Sequence, residues 1–346
     1  MTGEAPPFWW EEPDWRAMAL SPVSGVYGLV AARRMISARR HKLPVPVLCV
    51  GNFTVGGAGK TPAVITLTDA ARKAGRHPGI LSRGYGGSLS RPHIVDPGHD
   101  SARHVGDEPI LLAAHAPVAV TPDRAAGARL LMNAGCDFLL MDDGFQSARL
   151  QFDYALLVVD ARRGLGNGFS IPAGPMRAPL LSQLRFANAV LAIGEGDGAG
   201  AVVRQAARAG RSVYGASIKP RGQDRLSGKR LFAFAGIGDP DKFFETLRRS
   251  GGDLVATRGF ADHHSFSETD IAELESEADT GGLQLVTTAK DAVRLRGGSP
   301  AAKALAKRTF VLEIDLAFDD PRVPVKIIDH TLDAFARRQH GVSRTT

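Results

Sequence analysis

The chain is short of cysteine, of aromatic residues and of long apolar runs. Its 346 residues include two cysteines, Cys49 inside an apolar run and Cys136 near another. That leaves no disulfide framework and no cysteine-based metal site, and it points to a reducing compartment. A helix that crosses a bilayer needs ~20 apolar residues. The uncharged stretch AMALSPVSGVYGLVAA has only 16, interrupted by Pro22, Gly25 and Gly28. A secretory signal is not expected, because Glu4, Glu11, Glu12 and Asp14 stand where a positive segment belongs. Aromatics make up 7% of the chain. The basic excess lies beside apolar residues rather than on an aromatic stacking surface, which argues against a nucleic-acid binder.

What is present is a globular composition, 44% apolar and 23% charged, at a length suited to two domains. The formal charge of +7 suggests an anionic partner: nucleotide, nucleic acid or lipid surface. That charge is unevenly placed. From Arg16 to Lys42 there are six basic residues (Arg16, Arg33, Arg34, Arg39, Arg40, Lys42) and no acidic one, with Trp9, Trp10 and Trp15 just before them. Two readings stay open for this arm, residues 1–42. It is a segment resting on a membrane surface, aromatics and arginines at the headgroups, or a helical arm packed on the protein's own core.

Beyond the arm, short β-branched runs alternate with helical periodicity. Residues 45–52, 79–82, 117–120, 138–142, 154–160, 189–193 and 212–217 read as strands, with helices notably at 109–116 and 123–135. Such alternation predicts a mostly parallel sheet covered on both faces. The charged stretch KPRGQDRLSGKR, 219–230, interrupts this rhythm and reads as a joint. A second series follows, with strands at 231–237, 253–260, 283–288 and 309–315 and a closing helix at 325–339. The expected architecture is two α/β/α sandwiches, the first over 43–222 and a smaller one over 223–320. Residues 321–346 form a C-terminal helix and tail, whose return to the first domain is left open.

The first strand runs into GNFTVGGAGKTP, 51–62. It departs from the usual phosphate-gripping pattern G-x-x-x-x-G-K-S/T, which would put a glycine at Thr54. A strand before it, a helix from its Lys-Thr and four glycines between 51 and 59 still favour a phosphate grip. Thr54, Val55, Gly56, Gly57, Ala58, Gly59, Lys60 and Thr61 are the expected nucleotide contacts. Lys60 reaches the β- and γ-phosphates, and Thr61 offers its hydroxyl to Mg²⁺. Asp142 and Asp143 end the 138–142 strand, where a metal-holding acid sits. Parallel strands share a carboxyl edge, so these acids meet the loop after Val50. Adjacent buried carboxylates are costly without a cation. Loop and acids together predict a Mg-nucleotide site on a P-loop-type α/β/α sandwich.

Seven motifs then occur in order: GNFTVGGAGKTP, SRGYGG (82–87), VGDEP (105–109), DDGFQ (142–146), GNGFSIPAGPMRAP (166–179), DHHSF (262–266) and TTAKDAVR (287–294). This set resembles the tetraacyldisaccharide 4′-kinase (lipid A 4′-kinase) family, from the arm to roughly residue 330. The resemblance implies an enzyme that moves the γ-phosphoryl of ATP to the 4′-hydroxyl of tetraacyldisaccharide 1-phosphate, with Mg²⁺ as the metal. It also implies a peripheral place at the cytoplasmic face of the bacterial inner membrane. Two α/β/α domains joined by a short β linker go with it.

Read through that resemblance, Asp107 is the base that takes the sugar hydroxyl's proton, and His263 pairs with it; which of His263 and His264 does so is left open. Glu108 helps arrange metal or water. Arg83, Arg124 and Arg177 sit in positions suited to the substrate's phosphate or sugar, since arginine holds phosphate bidentately. Position 263 lies in the second half, which puts the reaction in an interdomain cleft. Ala178 and Ala289 stand where the family commonly has glutamate. Lys290 and Asp291 contact the adenosine side or cap a helix. The rival enzyme reading is a partitioning-type ATPase switch, whose loop carries a lysine where this chain has Val55. A membrane scaffold that only senses nucleotide is the non-catalytic rival.

Overall fold

The computed structural model describes residues 5–342, apart from Ala58 and Ala148. Twelve strands form its sheet: β1 Val47–Asn52, β2 Pro78–Ser82, β3 His93–Ile94, β4 Val118–Val120, β5 Phe138–Asp142, β6 Tyr154–Asp160, β7 Ala189–Ile193, β8 Ser212–Arg221, β9 Arg230–Ala235, β10 Asp253–Gly259, β11 Gln284–Thr288 and β12 Phe310–Phe318. Their spatial order is β10-β9-β11-β12-β8-β7-β6-β1-β5-β2-β4-β3. β1 lies parallel between β5 and β6, so the strand that feeds the glycine loop is central and buried throughout. Its side chains alternate between faces: Val47 and Cys49 enter one core, Leu48 and Val50 the other. A second pair of cores flanks β9 in the same way, Leu231 and Ala233 on one face, Phe232 and Phe234 on the other. The fold is therefore P-loop-type α/β/α with a mostly parallel sheet and a second, smaller α/β/α unit.

The two units share one sheet, which sequence patterning did not predict. β8 and β12 pair antiparallel from Ala216↔Phe318 to Arg221↔Glu313 and weld the halves edge to edge. Lys219, Pro220 and Arg221, read above as part of a charged joint, belong to that ladder. The helix Pro300–Arg308, absent from the sequence reading, is capped by Ser299, whose hydroxyl accepts from Ala302 N.

The helix Val323–Val342 crosses back and packs on helix Lys60–Lys73 and on β1 and β6. Arg338 staples it down. Its guanidinium bonds both carboxylate oxygens of Asp153 at 2.7 and 3.0 Å and the carbonyl of Leu43 at 3.0 Å, all beside the start of β1. Both side chains are buried. Removing one partner strands the other's charge, so Arg338→Ala is expected to destabilise the fold by about 3 kcal/mol. Urea unfolding measures this, and Arg338→Met with Asp153→Asn should recover much of the loss.

Candidate active site

The loop after β1 is held in shape from outside. Phe53 and Thr54 accept at their carbonyls from Arg177 N at 3.0 Å and Arg177 Nε at 3.1 Å. Val55 N donates to the Pro175 carbonyl at 2.9 Å, so that amide is committed within the protein. Gly59 caps helix Lys60–Lys73 with φ of 85°, and a Cβ there would lie 3.0 Å from Ile193 Cδ1. Both facts favour glycine. Ala58 lies outside the described residues. Lys60 is nearly buried, its Nζ 3.8 Å from Asp143 Oδ2.

Opposite the loop, Val50 pairs with Asp142 across β1 and β5, as a shared carboxyl edge requires. Asp143 follows with φ of 50° and donates its N–H to Val50 at 3.0 Å. Its carboxylate takes two bonds of 2.9 Å from Arg177. Burial pushes Asp143 toward protonation, but Lys60 and Arg177 outweigh it and hold the group below the usual carboxylate range. Asp142 is the reverse case. Burial and the neighbouring charge of Glu108 push it up to about 7, against Lys60. Its Oδ1 is buried with no hydrogen-bond partner.

That orphaned oxygen carries the test for a metal. Thr61 Oγ1 lies 3.4 Å from Glu108 Oε1, with the Asp142 carboxylate close enough to Glu108 for their charges to couple. Thr61, Glu108 and Asp142 are hard oxygen donors, and a divalent cation would relieve the carboxylate repulsion. Among the described residues no three His, Cys, Asp or Glu side chains form a metal cage. Mg²⁺ needs none, since it is bound through one or two carboxylates plus phosphates. The residues present fit it.

Asp107 begins helix Asp107–Ala113 and is buried. Its Oδ2 receives His263 Nδ1 at 3.2 Å and Arg294 Nε at 2.9 Å. Burial alone would raise its proton affinity. The hydrogen bond from His263 and the charges of Lys290 and Arg294 prevail, leaving it well below the usual carboxylate range. The same hydrogen bond raises His263. His264 takes no part, stacking on Phe260 and bonding Asp270 at 3.0 Å. Lys290 Nζ pairs with Glu108. His263 has φ of 59°; among the described residues it and Asp143 are the non-glycine residues with positive φ. Such strain costs ~1–3 kcal/mol and gathers at functional sites.

The expected residues thus converge. Lys60 touches Asp143, Thr61 touches Glu108, and Asp107 beside it meets His263 from the second unit. Of the three arginines expected to face a substrate phosphate, Arg83 is exposed. Arg177 is bound to Asp143, and Arg124 is buried with Nη2 on the Asp142 carbonyl at 3.3 Å. Arg294 was missed, although Lys290 and Arg294 stand four apart and so share a face of helix Ala289–Arg296.

Strand, glycine loop and helix, set against a carboxylate-lined sheet edge, define a P-loop-type nucleotide fold. The tetraacyldisaccharide-1-P 4′-kinase family, LpxK, matches residues 16–333. A tetraacyldisaccharide 4′-kinase of Mesorhizobium japonicum is 59% identical over 340 residues, covering 98% of this chain and 99% of that protein. One from Brucella ovis is 55% identical over 341 residues, 99% of this chain and 100% of its own length. A crystal structure of LpxK from Aquifex aeolicus in complex with ATP matches with a TM-score of 0.70 and 26% identity, over 91% of this chain and 99% of that one. The chain belongs to the tetraacyldisaccharide 4′-kinase family.

Proposed function

We propose that this chain phosphorylates the 4′-hydroxyl of tetraacyldisaccharide 1-phosphate with ATP, giving lipid IVA. The observation that carries this reading is the run of contacts from Lys60 and Asp143 through Thr61 and Glu108 to Asp107 and His263. These contacts bring the glycine loop near the buried carboxylate of Asp107, which supports reading the one as a phosphate grip and the other as a proton acceptor. Gly56, Gly57, Gly59, Lys60 and Thr61 grip the triphosphate, while Thr54 and Val55, tied to Arg177 and Pro175, hold the base of the loop. Asp107 takes the hydroxyl proton as the sugar oxygen bonds to Pγ and the Pγ–O bond to ADP breaks. Lys60 meets the charge gathering on the departing oxygen. Thr61, Glu108 and Asp142 would hold Mg²⁺, while Asp143 anchors Lys60 and Arg177. Bound there, the ion screens phosphate charge. The units 43–222 and 223–320 act as the two walls of the cleft.

The same reading places the protein peripherally at the cytoplasmic face of the inner membrane. Helix Trp15–Ser37 turns Ala17, Ser24, Gly28 and Met35 inward. Its outer side is apolar, with Trp15 77% and Val26 66% exposed beside Met18 and Leu29. Ser24 Oγ donates to the Ser170 carbonyl at 2.7 Å, so the helix is fixed with its large apolar side chains facing out. No described helix is long and apolar enough to cross a membrane. A helix lying in the headgroup layer, with Arg33 and Arg34 exposed near its end and Arg39 exposed just beyond it, fits both facts. Val26→Asp with Leu29→Asp is expected to lower partitioning onto anionic vesicles, read by flotation, by at least about 100-fold, given ~1.5–3 kcal/mol for each apolar side chain buried and 1.36 kcal/mol per factor of ten. Its melting temperature should be unchanged. Flotation equal to wild type would remove this helix as the anchor.

The defining assay supplies purified protein with Mg-ATP and tetraacyldisaccharide 1-phosphate. Formation of the 4′-phosphorylated glycolipid is the expected result. ATP hydrolysis without that product would overturn the proposal and favour a nucleotide switch.

A further inference from the structure

Arg294 has no place in the chemistry described so far, yet its guanidinium is bonded to Asp107, Gly236 and Asp291. It lies in the last turn of helix Ala289–Arg296 and is almost wholly buried. Nε donates to Asp107 Oδ2 at 2.9 Å, and Nη1 donates to the Gly236 carbonyl at 2.7 Å and to Asp291 Oδ1 at 2.8 Å. Nη2 lies 2.9 Å from the same Asp107 oxygen, but its N–H is not aligned for a hydrogen bond.

The second unit builds a frame around it. Fully buried Asp291 accepts from Gly236 N at 3.0 Å and from Thr288 Oγ1 at 2.5 Å. The Gly236 carbonyl that takes Arg294 also takes His263 N at 3.2 Å. A Cβ on Gly236 would lie 3.1 Å from Arg294 Nη1 and 3.2 Å from Asp291 Oδ1, so the frame closes tightly around that residue. Arg294 and His263 therefore share one anchor and end on one oxygen.

A carboxylate offers about four acceptor sites, two on each oxygen. Both on Asp107 Oδ2 are filled, by Arg294 Nε and His263 Nδ1. Oδ1 accepts from Glu108 N at 2.9 Å, which leaves one site there. We propose that Arg294 is a positioning residue for phosphoryl transfer: with His263 it occupies Asp107 Oδ2 and so presents Oδ1 as the atom that receives the hydroxyl proton. This rests on the reading of Asp107 as the base. In the step, the sugar O–H bond breaks and its proton goes to Oδ1. The oxygen's electron pair forms the bond to Pγ, and the Pγ–O pair leaves with ADP. Arginine suits the task because its planar fork reaches Asp107, Gly236 and Asp291 at once, which an ammonium cannot.

The test compares Arg294→Met and Arg294→Lys, each in the wild-type and Asp107→Asn backgrounds, by glycolipid phosphorylation. Misplacing a reacting group costs about 100-fold, so Arg294→Met is expected to lower kcat by roughly that factor with KM for ATP within about twofold. Arg294→Lys keeps one charged donor for Asp107 Oδ2 but not the anchors at Gly236 and Asp291, so it should ease the loss only in part, to about tenfold below wild type. In Asp107→Asn, adding Arg294→Met should cost less than about threefold, because both changes act through one group. Wild-type kcat in Arg294→Met, or its full loss recurring in Asp107→Asn, overturns the proposal. So does a loss that Lys does not ease. Should Arg294→Met fail to fold, with Asp107 and Asp291 left facing each other, Arg294→Met with Asp291→Asn replaces it under the same criteria. Failure of the underlying reading shows separately, as wild-type protein that makes no phosphorylated glycolipid or as full activity in Asp107→Asn alone.

Discussion

Asp107→Asn is expected to lower kcat for glycolipid phosphorylation about 10³-fold, in the middle of the range for loss of a general base. That is about 4 kcal/mol of transition-state stabilisation, at 1.36 kcal/mol per factor of ten. The size follows from the site. Asn keeps the shape and an oxygen able to accept from Arg294 Nε, so the frame around Gly236 survives. What vanishes is the capacity to hold a proton. The proposed nucleotide loop is left untouched, so ATP binding should be retained, which separates this loss from unfolding. A second readout checks the geometry. The Asp107 hydrogen bond raises the proton affinity of His263. Without that anion the imidazolium loses its partner, so the His263 midpoint in an NMR titration should move down. Turnover equal to wild type would remove Asp107 as the base, and an unmoved His263 would mean that the pair does not form in solution.

How much of this was legible beforehand divides along local and non-local lines. The glycine loop was readable because its signals are contiguous, a β-branched run followed by glycines and Lys60-Thr61. The meeting of Asp142 with that loop was readable too, since parallel strands share an edge and the register sets Val50 against Asp142. Asp107 and His263 are 156 residues apart, and no spacing rule joins them. Their pairing came from resemblance to a family. The continuous sheet was hidden for a related reason. β8 and β12 pair through their backbones, while Lys219 and Arg221 make the end of β8 look like a solvated joint, and the strand read over 309–315 carries no signal of a partner in the other half. Arg177 illustrates the remaining difficulty. An arginine in a Gly- and Pro-rich motif reads as a free cation until the fold sets it 2.9 Å from both oxygens of Asp143. The outward apolar side of helix Trp15–Ser37 was left between two readings, because composition does not say which face a helix turns to the core.

Lys60→Met is expected to reduce kcat by about 10³, the upper end of what one preorganised donor contributes in a water-poor site. Its ammonium is nearly buried 3.8 Å from Asp143, among acids that also include Asp142 and Glu108. A cation held by fixed anions does not have to reorganise as charge moves onto the oxygen leaving with ADP. That is where its effect exceeds that of a solvated charge. Methionine keeps the length and apolar stem, so packing against the loop changes little. The loss should therefore fall on kcat, with KM for ATP rising less than about tenfold, because an interaction stronger in the transition state than in the ground state is removed. Lys60→Arg should not restore activity. Arg177 already bonds both oxygens of Asp143, and a guanidinium is bulkier than an ammonium and spreads the charge that an ammonium concentrates at one point. The deciding measurement is product formation at saturating ATP, alongside ATP affinity by titration calorimetry. A variant that loses ATP affinity about 10³-fold while keeping wild-type kcat would make Lys60 a ground-state anchor, and would move the origin of the rate enhancement away from the glycine loop.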